Sequence, residues 1–209
     1  LKYRPDDGTT LNNLGIAYYK KGDYQKAKEV FEGLLRHGDH SPKLLVNLGV
    51  VYDELKEYQK ATSILNQAIS VAPNYLDAYL SLGIMYNNMN KHKEAIAIYK
   101  KILDKDPEKA HLGAGETYFK MRDYISATTE LEKVVSINPK NLDAYYNLAY
   151  IHALKRDFKS SMDWLAKAVE AGFKDFELIE NDEVFAPIVG SERFTRFKMI
   201  RITESRGER

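Results

Sequence analysis

The chain contains no cysteine. Disulfides, thiolate zinc sites, iron–sulfur ligation and a cysteine nucleophile are therefore excluded together, and a cysteine-free chain suits either redox compartment, so no compartment is assigned. Net charge is almost absent too: 31 Lys and Arg stand against 30 Asp and Glu, leaving +1. Such a balance supplies no long-range field to attract nucleic acid or an anionic membrane surface. The run of about 18 apolar residues that a membrane-spanning helix needs is missing, and the amino terminus lacks the charged-then-apolar design of a signal peptide. Membrane insertion is not expected. What the chain does have is 209 residues, 44% of them hydrophobic, which is enough to bury a sizeable core.

Sliding the sequence against itself exposes its organisation. Asn13-Leu14-Gly15-Ile16-Ala17-Tyr18 recurs as Asn47-Leu48-Gly49-Val50-Val51-Tyr52 and as Ser81-Leu82-Gly83-Ile84-Met85-Tyr86, so that the glycines step by 34 residues. A small-then-large pair four residues apart repeats in phase downstream: Ala27 and Phe31, Ala61 and Leu65, Ala95 and Tyr99, Ala127 and Leu131. Pro73, Pro107 and Pro139 close three of the units. Leu11, Leu14, Gly15 and Tyr18 share one face at 3.6 residues per turn, as do Leu45, Leu48, Gly49 and Tyr52, which predicts a first helix with a packing face in each unit. Lys21-Gly22-Asp23, Arg122-Asp123 and Arg156-Asp157 read as the turns that follow. Gly22 is suited to the left-handed conformation, and each Asp to accepting the first free amides of a second helix. Gly15 with Ala27, and Gly49 with Ala61, allow the paired helices to approach closely, while Tyr18 and Phe31 fill the gaps beside them.

The period and the residues at these positions resemble the tetratricopeptide repeat family. That resemblance implies an all-α fold: a right-handed superhelical solenoid of antiparallel helix pairs, about five units, with a helical C-terminal cap. The units are placed at about residues 8–41, 42–75, 76–107, 108–141 and 142–175, giving an array over 6–175. Pro5 has the closing-proline spacing to Gly15, so residues 1–5 read as the tail of a preceding repeat and the parent protein as longer. The third unit is two residues short, with Asp106 as N-cap and Pro107 as the first helical residue of the next helix. The fifth has His152 and Ser161 where the family has Tyr and Ala. Residues 176–209 read as a capping segment, with Ser191 as an N-cap and Phe194, Phe197 and Ile200 on one helical face. Its Arg193, Arg196, Lys198 and Arg201 read as a solvated face.

No catalytic constellation emerges. His37-Gly38-Asp39-His40 reads as an inter-repeat loop rather than a metal site, and His111 and His152 as packing residues without a carboxylate partner at helical spacing. Gly113-Ala114-Gly115 lacks the preceding strand and the spacing of a phosphate cradle and reads as a helix-packing pair. No catalytic residue, metal or cofactor is expected, and the chain is not expected to be an enzyme.

The resemblance implies that the first helices line a concave groove. Its expected residues are Asn12, Asn13, Ile16 and Tyr19; Val46, Asn47 and Val50; Leu80, Ile84 and Asn87; Leu112, Glu116 and Phe119; and Tyr146, Asn147 and Tyr150. Most are apolar or aromatic, the composition of an interaction stripe. The clamp with which some family members hold the acidic tails of heat-shock chaperones needs Lys, Asn and Arg at positions where this chain has Asn12, Ile16, Val46, Val50, Leu80 and Ile84. A partner of that kind is not expected. Asn13, Asn47 and Asn147 resemble the asparagine ladder that other members use on peptide backbone, since an amide donates and accepts at once. The expected partner is a protein or peptide with spaced apolar anchors. The alternative is a self-associating scaffold, with the groove filled by the chain's own terminal segment or a neighbouring copy.

Overall fold

The computed structural model of the chain describes residues 8–207, and side chains as far as residue 199. Residues 1–5, read above as a repeat tail, lie outside the described residues, as does the side chain of Ile200. Every regular element among the described residues is helical, and the chain divides into two compact units, Leu1–Thr117 and Tyr118–Arg209.

In the first unit α1 (Gly8–Lys20) pairs with α2 (Tyr24–Arg36), α3 (Pro42–Glu54) with α4 (Tyr58–Val71), and α5 (Leu76–Asn88) with α6 (His92–Lys101). α2 also packs on α3, and α4 on α5, so each second helix serves its own pair and the next. The core is built from the repeated positions: Ala27, Leu45, Leu48, Ala61, Leu65 and Ala78 are all fully buried. The glycines do more than approach the alanines four positions before the large residue. A Cβ on Gly49 would meet Leu65 at 2.6 Å and one on Gly83 would meet Tyr99 at 2.6 Å, and Phe31 lies over Gly15 in the same way. Each glycine thus seats the large side chain of the second helix on bare backbone, where any Cβ would force it out.

Gly22 ends α1 with φ 80°, and the same place in later turns is held at φ of 58° to 60° by Lys56, Asn90, Arg122 and Arg156. The turn geometry survives the loss of glycine because packing on both sides dictates it. Asp23, Asp123 and Asp157 accept the backbone N–H of Lys26, Ser126 and Ser160 respectively. Asp106 likewise accepts from the Lys109 N–H, and Pro107 opens α7 (Pro107–Lys120).

One position departs from the expected packing face. Leu14 is 40% exposed, whereas its counterparts Leu48, Leu82 and Leu148 are buried, because no described helix stands on that side of α1.

In the second unit α8 (Tyr124–Ile137) packs on α9 (Leu142–Leu154), which pairs with α10 (Phe158–Glu170). Then come α11 (Phe176–Glu180), a 3₁₀ turn (Glu183–Phe185), α12 (Ala186–Val189) and α13 (Glu192–Gly207). Ile179, Phe185, Ile188 and Phe194 are buried in a cluster with Ala149, Ala153, Met162 and Leu165. The 34-residue spacing of caps continues here: Asp175 caps α11 at the interval from Asn141, which caps α9, and Ser191 caps α13 at the interval from Asp157. α11 ends after five residues because the continuing register would put Asp182 and Glu183 where α9 buries Leu148 and Ala149. Asp182 instead turns back, accepting the Val184 N–H at 2.9 Å and the Tyr146 hydroxyl at 3.2 Å.

Candidate functional site

In the first unit the expected groove residues of α1 and α3 come together. Ile16, Tyr19, Lys20, Phe31, Asn47 and Val50 line a cleft of about 220 Å³. Its floor is the Phe31 ring seated on Gly15, and its walls are the half-buried Ile16 and Val50. Asn47 donates from its amide to the Asn12 carbonyl oxygen at 3.2 Å. The Asn12 amide N–H groups and the Asn47 carbonyl oxygen have no hydrogen-bond partner among the described residues. Flipping both amides would again leave one donating and one accepting group. The Tyr19 hydroxyl donates to Glu54 Oε1 at 3.2 Å, and its ring meets Tyr24 at 5.5 Å. Burial, reinforced by the Glu54 charge, pushes the Tyr19 hydroxyl up to about 12, so it remains a neutral donor. Asn88 donates to Asp53 at 2.6 Å. Asn12–Asn47, Tyr19–Glu54 and Asp53–Asn88 are each 35 residues apart, which is one repeat plus one position and ties neighbouring first helices together.

The other expected residues are distributed unevenly. Ile84 is 51% exposed, Asn13 and Glu116 are exposed, and Leu80 and Leu112 are half-buried. Val46 is buried within the core cluster. Asn87 is buried as well: it donates to Thr117 Oγ1 at 2.8 Å, and its carbonyl oxygen faces His92 Nδ1 at 3.2 Å. Since that oxygen can only accept, the imidazole carries its proton on Nδ1 there. Lys20 and Phe31 line the cleft although sequence reasoning placed neither on it. Phe31 was legible as a gap filler, but its second role depends on Gly15 opening a path to the ring.

In the second unit Phe119, Tyr146 and Tyr150 belong to one aromatic cluster, with Phe119 to Tyr150 at 5.8 Å and Tyr146 to Tyr150 at 6.2 Å. Phe185 packs against both Tyr146 and Tyr150, at 5.6 and 5.8 Å, so the chain's own 3₁₀ turn sits on this part of α9. Burial first, then the Asp182 charge, raises the Tyr146 hydroxyl to about 12. Asn147 is half-buried.

His152 differs from expectation. Its Nδ1 lies 3.1 Å from Asp157 Oδ2, a carboxylate partner five residues away. Helical spacings of three and four do not reach that pair because the turn after α9 folds Asp157 back. Among the described residues no three His, Asp or Glu side chains converge as metal ligands, and no helix is long and apolar enough to cross a membrane.

Three tetratricopeptide repeat family models match the chain, over residues 6–74, 54–116 and 112–174. A BBSome complex member BBS4 homolog of Drosophila melanogaster is 34% identical over 73 residues, covering 34% of this chain but 15% of that protein's length. Among solved structures, PilW, a type IV pilus biogenesis factor, superposes with a TM-score of 0.70 at 18% identity, over 94% of this chain and 92% of its own. A tetratricopeptide repeat protein from Parabacteroides merdae gives 0.68 at 19% identity, over 97% and 75%. With the 34-residue period, the helix pairs and these matches in agreement, the chain belongs to the tetratricopeptide repeat family.

Proposed function

We propose that this chain is an adaptor that holds a segment of another protein on the first-helix face of its first unit. Tetratricopeptide arrays are in general protein-interaction scaffolds, and the finer reading rests on one observation: the apolar cleft of Ile16, Phe31 and Val50 lies beside the Asn12–Asn47 amide pair. An apolar anchor in the cleft and a peptide backbone across the amides would use both features, the anchor supplying affinity and the amides orientation. The exposed Ile84 extends the apolar stripe on α5. The Drosophila relative's description as a complex member accords with such a role. The test is capture of a partner by the intact chain, followed by titration against a Val50→Glu, Ile84→Glu double variant.

A second reading, in which first-helix faces are filled by the protein's own segments, is favoured at α9 by Phe185 and Asp182 packing on Tyr146 and Tyr150. On that reading Tyr146 and Tyr150 serve the chain itself, and an external partner is confined to the first unit. Light scattering over a concentration series separates an adaptor, monomeric throughout, from a scaffold whose faces are filled by a neighbouring copy.

A further inference from the structure

We infer that the Tyr99 hydroxyl is a specificity-determining group between α5 and α7, where, on the adaptor reading above, it receives the side-chain amide of an Asn or Gln in the bound segment. Phe31 shows where this position leads. Its ring, carried by α2, lies over Gly15 of α1 and forms the floor of the apolar cleft, with Asn47 of α3 on the wall. Tyr99 is its counterpart two repeats on, and its ring meets Gly83 of α5 and Gly113 of α7. Gly113 holds the place of Asn47, because the third unit is two residues short. The wall amide is therefore missing here, and a polar atom stands on the floor instead. Leu65, the counterpart in the pair between, carries none.

The fold leaves that atom unpaired. Tyr99 is 2% exposed, yet its hydroxyl has no hydrogen-bond partner among the described residues, and its oxygen is not sealed from solvent. The hydroxyls of Tyr19, Tyr52 and Tyr146, by contrast, donate to Glu54, Glu32 and Asp182. An unpaired buried hydroxyl costs stability that a phenylalanine in the same seat, as at Phe31, would not. Burial first, then the Glu116 charge, raises the Tyr99 hydroxyl well above its ordinary value, so it stays a donor. The same charge disfavours an anionic acceptor beside it. A recessed floor is reached by a side chain more readily than by a main chain. Asn and Gln offer a neutral carbonyl oxygen to the hydroxyl, and their N–H groups are compatible with a nearby carboxylate. Ile84, 51% exposed on α5, supplies apolar contact at the rim.

Tyr99→Phe keeps the ring in its glycine seat and removes one atom, so two measurements test the assignment. Without any partner, the variant is expected to melt at the same temperature as the parent or higher. A lower melting temperature overturns the proposal, because the hydroxyl would then serve the fold. The second measurement uses random peptides displayed on phage, selected on the full chain and titrated as synthetic peptides against the parent, Tyr99→Phe and Val50→Glu. Selected peptides are expected to share an Asn or Gln at a fixed interval from an apolar residue, and to bind Tyr99→Phe about threefold to tenfold more weakly. Changing that Asn or Gln to Ala should weaken binding to the parent and have no further effect on Tyr99→Phe. Peptides weakened by Val50→Glu but not by Tyr99→Phe overturn this assignment and leave the cleft reading standing. Peptides weakened by Tyr99→Phe alone support the seat and remove the cleft. A selection that yields no binder, or only binders indifferent to both variants, overturns both.

Discussion

The ring of Tyr99 in α6 occupies the space that a side chain on Gly113 of α7 would need, and the same ring meets the backbone of Gly83 in α5. Held by two glycines and only 2% exposed, it has no room to yield. Gly113→Ala is therefore expected to destabilise the protein by about 1–3 kcal/mol through overpacking, despite the gain of about 1 kcal/mol that alanine normally brings to a helix interior. Gly33→Ala in α2 is the matched control: its nearest neighbour is the end of the Arg36 side chain, 4.0 Å away, so the helix-forming gain stands alone and stability rises by up to about 1 kcal/mol. Urea unfolding of both variants checks the opposite signs.

Acid sensitivity is expected from the helix caps. The Ser126 hydroxyl holds Asp123 below its ordinary 3.8, the Ser160 hydroxyl does the same for Asp157 with His152 assisting, and Lys26 does so for Asp23. A carboxylate lowered on folding stabilises the native state above the unfolded value, and that contribution is lost as pH falls through the lowered folded value. The melting temperature is expected to fall as pH drops from about 5 to below 3. A variant with Asp23, Asp123 and Asp157 all changed to Asn keeps a capping acceptor without a titrating group, so its curve is flatter across the same window.

Changing Val50 and Ile84 to Glu is expected to leave the protein helical and folded, because Ile84 is half exposed and Val50 lines the cleft rather than the buried core. Two charges on a surface that an apolar anchor must desolvate weaken partner binding at least tenfold, given that central contacts cost about 2 kcal/mol or more each. Circular dichroism confirms the fold and titration measures the loss. Unfolding of the double variant would place these side chains in the core, and unchanged binding would move the partner to another surface.

Phe185 is fully buried against Tyr146 and Tyr150. Phe185→Ala is expected to cost about 3–5 kcal/mol, and ending the chain at Phe173 to cost more, since Ile179, Ile188 and Phe194 go with it. Thermal melts and light scattering report the outcome, the shortened chain melting earlier or aggregating. An unchanged melting temperature and a monomeric shortened chain would show that the segment shields nothing.

By itself, the sequence determined the period, the helix pairs and the caps, because these rest on local rules: 3.6-residue periodicity, Asp and Ser at helix starts, and small residues where helices cross. The residues that repeat at 34 could be read without knowing what they touch. Only tertiary structure decided which members of a repeated set are open. Val46 shares register with Asn12 and Leu80, and Asn87 with Tyr19 and Asp53, all four of them half-buried, yet Val46 and Asn87 are buried, Asn87 because Thr117 and His92 satisfy its amide. Leu14 shares register with Leu48, yet it is exposed, because burial depends on a neighbouring helix and not on the residue. The pairing of His152 with Asp157 and the return of Asp182 to Tyr146 likewise depend on how turns fold back, which no helical spacing encodes. A repeat writes the same pattern many times, and its neighbours determine what each copy does.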